Sequence, residues 1–228
     1  MKVIISIVAV AIVGALFYFG LNSSTLPEDK TSELATTTSF SLVDLTAGEY
    51  EVNPNESNIT WIGTKELVGN YEDVGTLSVQ TGSFVVNEEG QITTGQVVFD
   101  MNSIVGTKTS NTQIGLDRLA THLKSADFFD VATYPTATMN ITGVEVNDDG
   151  TYLATGSLTI KETTADISFP VNITTDASGR VVINGDLDID RTNWGLQYGS
   201  GSFFSDLGDN VISDIVQVSV NIVANLQN

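Results

Sequence analysis

The chain has 228 residues, 28 of them acidic against nine basic, for a formal charge of −19. That excess repels a phosphate backbone, which argues against nucleic acid as a partner. Cysteine is absent, so disulfides, thiolate metal sites, a lipidated-cysteine anchor and a cysteine nucleophile are excluded.

Val3 to Leu21 form an almost unbroken apolar run behind Lys2. A helix of that length spans roughly 28 Å, close to the ~30 Å hydrocarbon core of a bilayer. Phe17-Tyr18-Phe19-Gly20-Leu21-Asn22 carries no clean small-residue cleavage pattern. Residues 1–21 therefore read as an N-terminal membrane anchor, with a cleaved signal peptide as the alternative, and both readings export the remainder. Residues 22–47 are rich in Ser, Thr and acids without an apolar period, which reads as a flexible linker. The folded domain is expected over 48–228.

From Gly48 onward strand signals follow one another. Segments 50–53 and 57–65 come first, then 75–86, where Leu77 and Val79 share one parity and Phe84 and Val86 the other. The switch falls at Gly82 and predicts a bulge or sharp bend there. Asn87-Glu-Glu-Gly90 turns the chain into 91–102, with Val97, Phe99 and Met101 on one face. Strands are further predicted over 136–146, 151–161, 164–175, 180–190 and 213–225. Asn147-Asp-Asp-Gly150 and Asp176-Ala-Ser-Gly179 supply hairpin turns. Alternation in eight or more long strands means one dry and one wet face, an antiparallel pattern, and the strand lengths suit a tilted barrel. Two segments break it. Residues 104–135 contain a predicted helix over Ile114 to Leu123, and 191–212 carry Trp194, Tyr198, Phe203 and Phe204 without a period.

Catalytic chemistry is thin. His122 is the only histidine and no G-x-S-x-G elbow or H-E-x-x-H pair accompanies it. It reads as a group meeting helix-terminal carbonyls. Asp186-Leu-Asp-Ile-Asp190 resembles the start of a calcium loop, but Arg191 and Gln197 stand where Gly and Glu are required. It reads instead as a strand with its acids in water. No enzyme activity, catalytic residue, metal or cofactor is expected. An exported barrel with an apolar inner face suits a small hydrophobic ligand, and equally a solid core used as an interaction module.

His122-Leu-Lys-Ser-Ala-Asp-Phe-Phe-Asp130 followed by Tyr134-Pro-Thr-Ala-Thr-Met139 resembles the YceI-like family of periplasmic, polyisoprenoid-binding proteins. Ser57 to Lys65, Val74-Gly75, Gly82-Ser-Phe, Gly156 to Lys161, Ile167 to Val171, Arg191-Thr-Asn-Trp-Gly195 and Leu207-Gly-Asp209 match in the same order, over about 48–226. Two positions depart from the pattern: Val74-Gly75 where a His-Gly pair is frequent, and Lys161-Glu162 where a Lys-Gly turn is.

The resemblance implies an all-β fold, an extended lipocalin-like eight-stranded antiparallel β-barrel with a short helical cap segment. It also implies an apolar lumen holding a polyisoprenoid-type lipid or isoprenoid quinone in a periplasmic protein. Trp61, Leu77, Phe99, Phe128, Phe129, Met139, Phe169 and Trp194 are the candidate lining residues. The segment around Phe128 is expected to gate or floor the pocket. A ligand-free interaction barrel, with Phe128, Phe129 and the 191–212 segment forming a partner surface, is the alternative.

Overall fold

The described residues close a ring of strands, the last pairing with the second. The computed structural model describes residues 43–113, 115–147 and 150–227; the expected anchor at 1–21 and the linker as far as 42 lie outside the described residues. Nine strands follow in order: β1 (Gly48–Val52), β2 (Asn58–Thr64), β3 (Glu72–Val86), β4 (Ile92–Thr109), β5 (Thr136–Val146), β6 (Tyr152–Ile160), β7 (Thr163–Thr175), β8 (Val181–Asp190) and β9 (Ile215–Leu226). Helix α1 (Gly115–Lys124) stands between β4 and β5. Each strand from β2 onward pairs antiparallel with the next, and β9 closes on β2 through Trp61↔Val218. β1 occupies the same position in the ring as β2, pairing Tyr50 with Phe84 of β3 and with Leu226 of β9. The result is the expected closed, eight-stranded antiparallel barrel.

Two local expectations shift. The parity of β3 does switch, but the register slips at Gln80, between Val79↔Phe99 and Thr81↔Val98. Gly82 is needed for a different reason: a Cβ there would lie 2.9 Å from the Gln96 carbonyl and 3.0 Å from Val52. β4 also runs to Thr109, seven residues past the predicted end. Its alternation breaks because Met101 and Ile104 are both buried, which hides the continuation from a period-2 reading. Ser103 fills the irregularity, accepting from the Ser78 amide (2.8 Å) and donating to the Asp100 carbonyl (2.6 Å).

One end of the barrel is solid. Val52, Val86, Val181 and Ala224 are at most 2% exposed, and Tyr50 stacks on Phe84 with centroids 5.1 Å apart. Residues upstream of Gly48 also pack on this end: Leu45 is buried in it and the Val43 amide donates to the Tyr152 hydroxyl at 2.9 Å. At the other end, inward-facing Leu77, Ile167, Leu187, Ile189, Val218 and Val220 are only partly buried. Side chains that face inward yet stay accessible mean that this half is hollow.

Seven neighbouring positions are zipped over most of their shared length, but β7 and β8 are not. Their ladder ends at Val171↔Gly185, although β7 begins at Thr163 and β8 ends at Asp190. Continuing the register would set Pro170, which has no N–H, opposite Asp186, and Asp166 opposite Asp190. A lost donor and like charges face to face both oppose pairing. A groove lined by Asp166 to Pro170 and Asp186 to Asp190 lies between the diverging strands.

Candidate ligand-binding site

The hollow half encloses a cavity of about 380 Å³, within the range of small-molecule sites. Alternation turns one side chain in two towards it, so each strand from β2 to β9 contributes apolar atoms: Ile59 and Trp61 from β2, Leu77 from β3, Phe99 and Met101 from β4, Met139 from β5, Leu158 from β6, Phe169 from β7, Leu187 from β8 and Val218 from β9. Of the eight residues singled out in the sequence, Trp61, Leu77, Phe99, Phe128, Phe129, Met139 and Phe169 line this cavity. Trp194 does not. Its indole N–H donates to the Leu158 carbonyl at 2.8 Å, which holds the buried ring in the groove between β7 and β8.

The solid end floors the cavity, so the helical segment is a roof and not a floor. β5 begins only at Thr136 and pairs with β4 no further than Asp100. Beyond that point α1 lies against β4, with Leu116 and Leu119 within about 3.2 Å of where a Cβ of Gly106 would stand. Phe128 is 7% exposed and lines the cavity, so it is no part of an outer surface. His122 meets Phe128 edge-on at 5.0 Å and Tyr198 at 4.6 Å, joining the two segments that interrupt the strands. The β6–β7 turn ties in from the side: Lys161 Nζ donates to the Phe128 carbonyl (3.2 Å), and the Tyr134 hydroxyl to Glu162 (2.6 Å).

Arg191 organises the second covering segment. It is 4% exposed and donates to the carbonyls of Ser213 (2.9 Å), Ile212 (3.1 Å) and Leu196, with Asp214 at 3.3 Å. Burial opposes ionisation of Asp214, but hydrogen bonds from Ser202 and Ser200 and the Arg191 charge hold its carboxyl below the usual range.

Polar groups collect at the rim of the cavity. The Tyr71 hydroxyl donates to Asp73 (3.1 Å), which also accepts from Thr109 (2.6 Å). Burial, then the Asp73 charge, pushes the Tyr71 phenol up to about 12. Lys65 Nζ lies 4.9 Å over the Tyr71 ring and donates to the Asp209 carbonyl (3.1 Å). Deeper, the Trp61 indole lies on Gly75, where a Cβ would come within 2.2 Å of the ring. Its N–H has no acceptor in the protein, the only such buried side-chain atom among the described residues.

The rim was not legible as a site in the sequence. Tyr71 and Asp73 precede the segment predicted as β3, Arg118 lies in the predicted helix with nothing to show that it meets a cavity, and Tyr198 lies in the aperiodic stretch 191–212. The parity of Phe169, Leu187 and Val218 did carry the signal for the walls.

A family model described as a YceI-like domain matches residues 50–224. The chain belongs to the YceI-like family. Two solved structures share this YceI-like barrel. BcnA of Burkholderia cenocepacia is 20% identical with a TM-score of 0.52, covering 76% of this chain and 99% of its own. A polyisoprenoid binding domain from Saccharophagus degradans, implicated in plant cell wall breakdown, is 17% identical with a TM-score of 0.53, covering 80% and 100%. At these identities the likeness is one of fold. No curated protein matches the chain. Both departures from the YceI-like pattern fall at informative places. Val74-Gly75 leads into the seat of the Trp61 ring, and Lys161 takes the turn at a φ of +55° while reaching Phe128.

Proposed function

We propose that this protein is an exported carrier that holds the chain of an isoprenoid-type amphiphile in its apolar lumen. The observation that carries the reading is the hollow half of the barrel: inward apolar side chains left accessible around a cavity closed by Phe128 and Phe129. Each methylene taken from water into such a cavity contributes ~0.8 kcal/mol, so a long chain supplies affinity without any specific contact. The polyisoprenoid binding domain of S. degradans has the same fold, which supports an isoprenoid over other chains. Export and membrane attachment rest on the apolar run Val3 to Leu21; among the described residues no helix is long and apolar enough to cross a membrane. The reading is of binding, not catalysis.

Organic extraction of the purified full chain, followed by mass spectrometry, tests it. An isoprenoid-chain compound is expected at close to one per protein, and it is lost when Leu77 and Val218 are both replaced by Trp to fill the lumen. Recovery of no lipid, or equal recovery from the filled variant, overturns the proposal.

One observation favours a second reading as an interaction barrel. Phe203 and Phe204 are about half exposed on the second covering segment, which suits a partner surface. Under that reading Phe203→Ser with Phe204→Ser abolishes a specific pull-down, and no lipid is recovered from the wild type.

A further inference from the structure

Charge is unevenly placed around the cavity. The described residues contain seven basic side chains: Lys65, Lys108, Arg118, Lys124, Lys161, Arg180 and Arg191. Three of them, Lys65, Arg118 and Arg191, line the cavity, against a single acid, Asp73, in a chain of net charge −19. Asp73 is engaged by the Tyr71 and Thr109 hydroxyls. Arg191 is consumed by three carbonyls and Asp214.

The other two cations are not consumed. Arg118 stands on α1, one turn before His122, and makes no hydrogen bond or ion pair with any described residue, although the chain offers acids in excess. Lys65 meets only a backbone carbonyl and the face of the Tyr71 ring, which leaves ammonium protons to spare. The deep walls, by contrast, are apolar. A molecule seated here has its chain among Leu77, Phe99, Met139 and Phe169 and its polar end beside Arg118 and Lys65.

We infer that the rim of the cavity is a headgroup site for an anion, so that the cargo is an acidic amphiphile with a carboxylate or phosphate end. The inference rests on the carrier reading and narrows it. A protein of this net charge repels anions at long range, so a preference for one has to arise from the local cations. Charge-assisted hydrogen bonds from a guanidinium and an ammonium are of the strength required.

The test compares binding of hexadecanoic acid, hexadecyl phosphate and hexadecanol to the full chain, equal in chain length and different in head. The wild type is expected to bind at least one of the two acids about ten-fold or more tightly than the alcohol. Which acid is favoured identifies the head. Arg118→Gln with Lys65→Gln should bring that ratio to within about two-fold, whereas Arg180→Glu, an equal change of two charges in the β7–β8 turn, should leave it in place. Uptake elsewhere on the chain is measured for each ligand with the lumen-filled Leu77→Trp, Val218→Trp variant and subtracted before the ratio is taken. Equal binding of acids and alcohol by the wild type, or a preference that survives in the double variant, overturns the headgroup site while leaving the carrier reading intact. Binding of none of the three by folded protein overturns the carrier reading, and the headgroup site with it.

Discussion

Trp61 and Trp194 form a natural pair of controls. Both rings are packed, but the Trp194 N–H is donated to Leu158 while the Trp61 N–H has no protein acceptor. Trp→Phe removes the same volume at each, but at Trp194 it also breaks a hydrogen bond in a buried site, whereas Trp61 is partly buried beside the cavity. Trp194→Phe should cost about 1–2 kcal/mol more than Trp61→Phe in urea denaturation; equal costs would show that the Leu158 contact contributes nothing. Arg191 is the residue with most to lose. Arg191→Ala strands three carbonyls and Asp214, with an expected loss of about 3–5 kcal/mol and early proteolytic cleavage within 195–212. Tyr71 carries a pH signature. Its folded phenol titrates near 12 instead of 10, so above pH 10 the unfolded chain ionises first. Stability should hold up to about pH 10 and fall between pH 10 and 12, and a Tyr71→Phe variant should lose that component of the fall.

At the scale of elements, the strands were readable because inward and outward residues alternate, and they were readable to within a few residues at most ends. What alternation cannot show is a register slip: at Gln80 and around Ser103 the ladder changes partner while the sequence merely skips a beat. The walls of the site were legible for the same reason as the strands, since Leu77, Phe99, Met139 and Phe169 are simply the inward set. That some of them face a void was not legible, because a packed core and a lumen demand the same apolar alternation. Trp194 lies outside the cavity lining, and an aromatic in an aperiodic loop has no parity to say which way it faces. The roof was read as a covering but not as one built jointly. His122 sits between Phe128 and Tyr198, and nothing local in the sequence links the segments that carry them. Phe128→Ala should therefore loosen both coverings at once, costing about 3–5 kcal/mol and raising hydrogen exchange in 196–204 as well as in α1. Exchange changes confined to α1 would show that the two segments act separately.

For the whole molecule, closure joins β2 to β9, elements near opposite ends of the described chain, as in Ile59↔Val220. A ring sealed by so distant a contact bears a loop-closure cost before it is rewarded, which points to folding on the millisecond-to-second scale of β-rich topologies. Closure ordinarily also removes every free strand edge. Here it does not, because β7 and β8 part company above Val171 and Gly185 and present two bare edges to one groove. Such edges are templates on which a second molecule can add a strand, and proteins guard them with charge and proline. Asp186, Asp188 and Asp166 flank these edges, beside Pro170. The residues that oppose pairing between β7 and β8 are thus of the kinds that guard a bare edge. Neutralising the three aspartates to Asn should produce concentration-dependent association in sedimentation velocity, at concentrations where the wild type shows none.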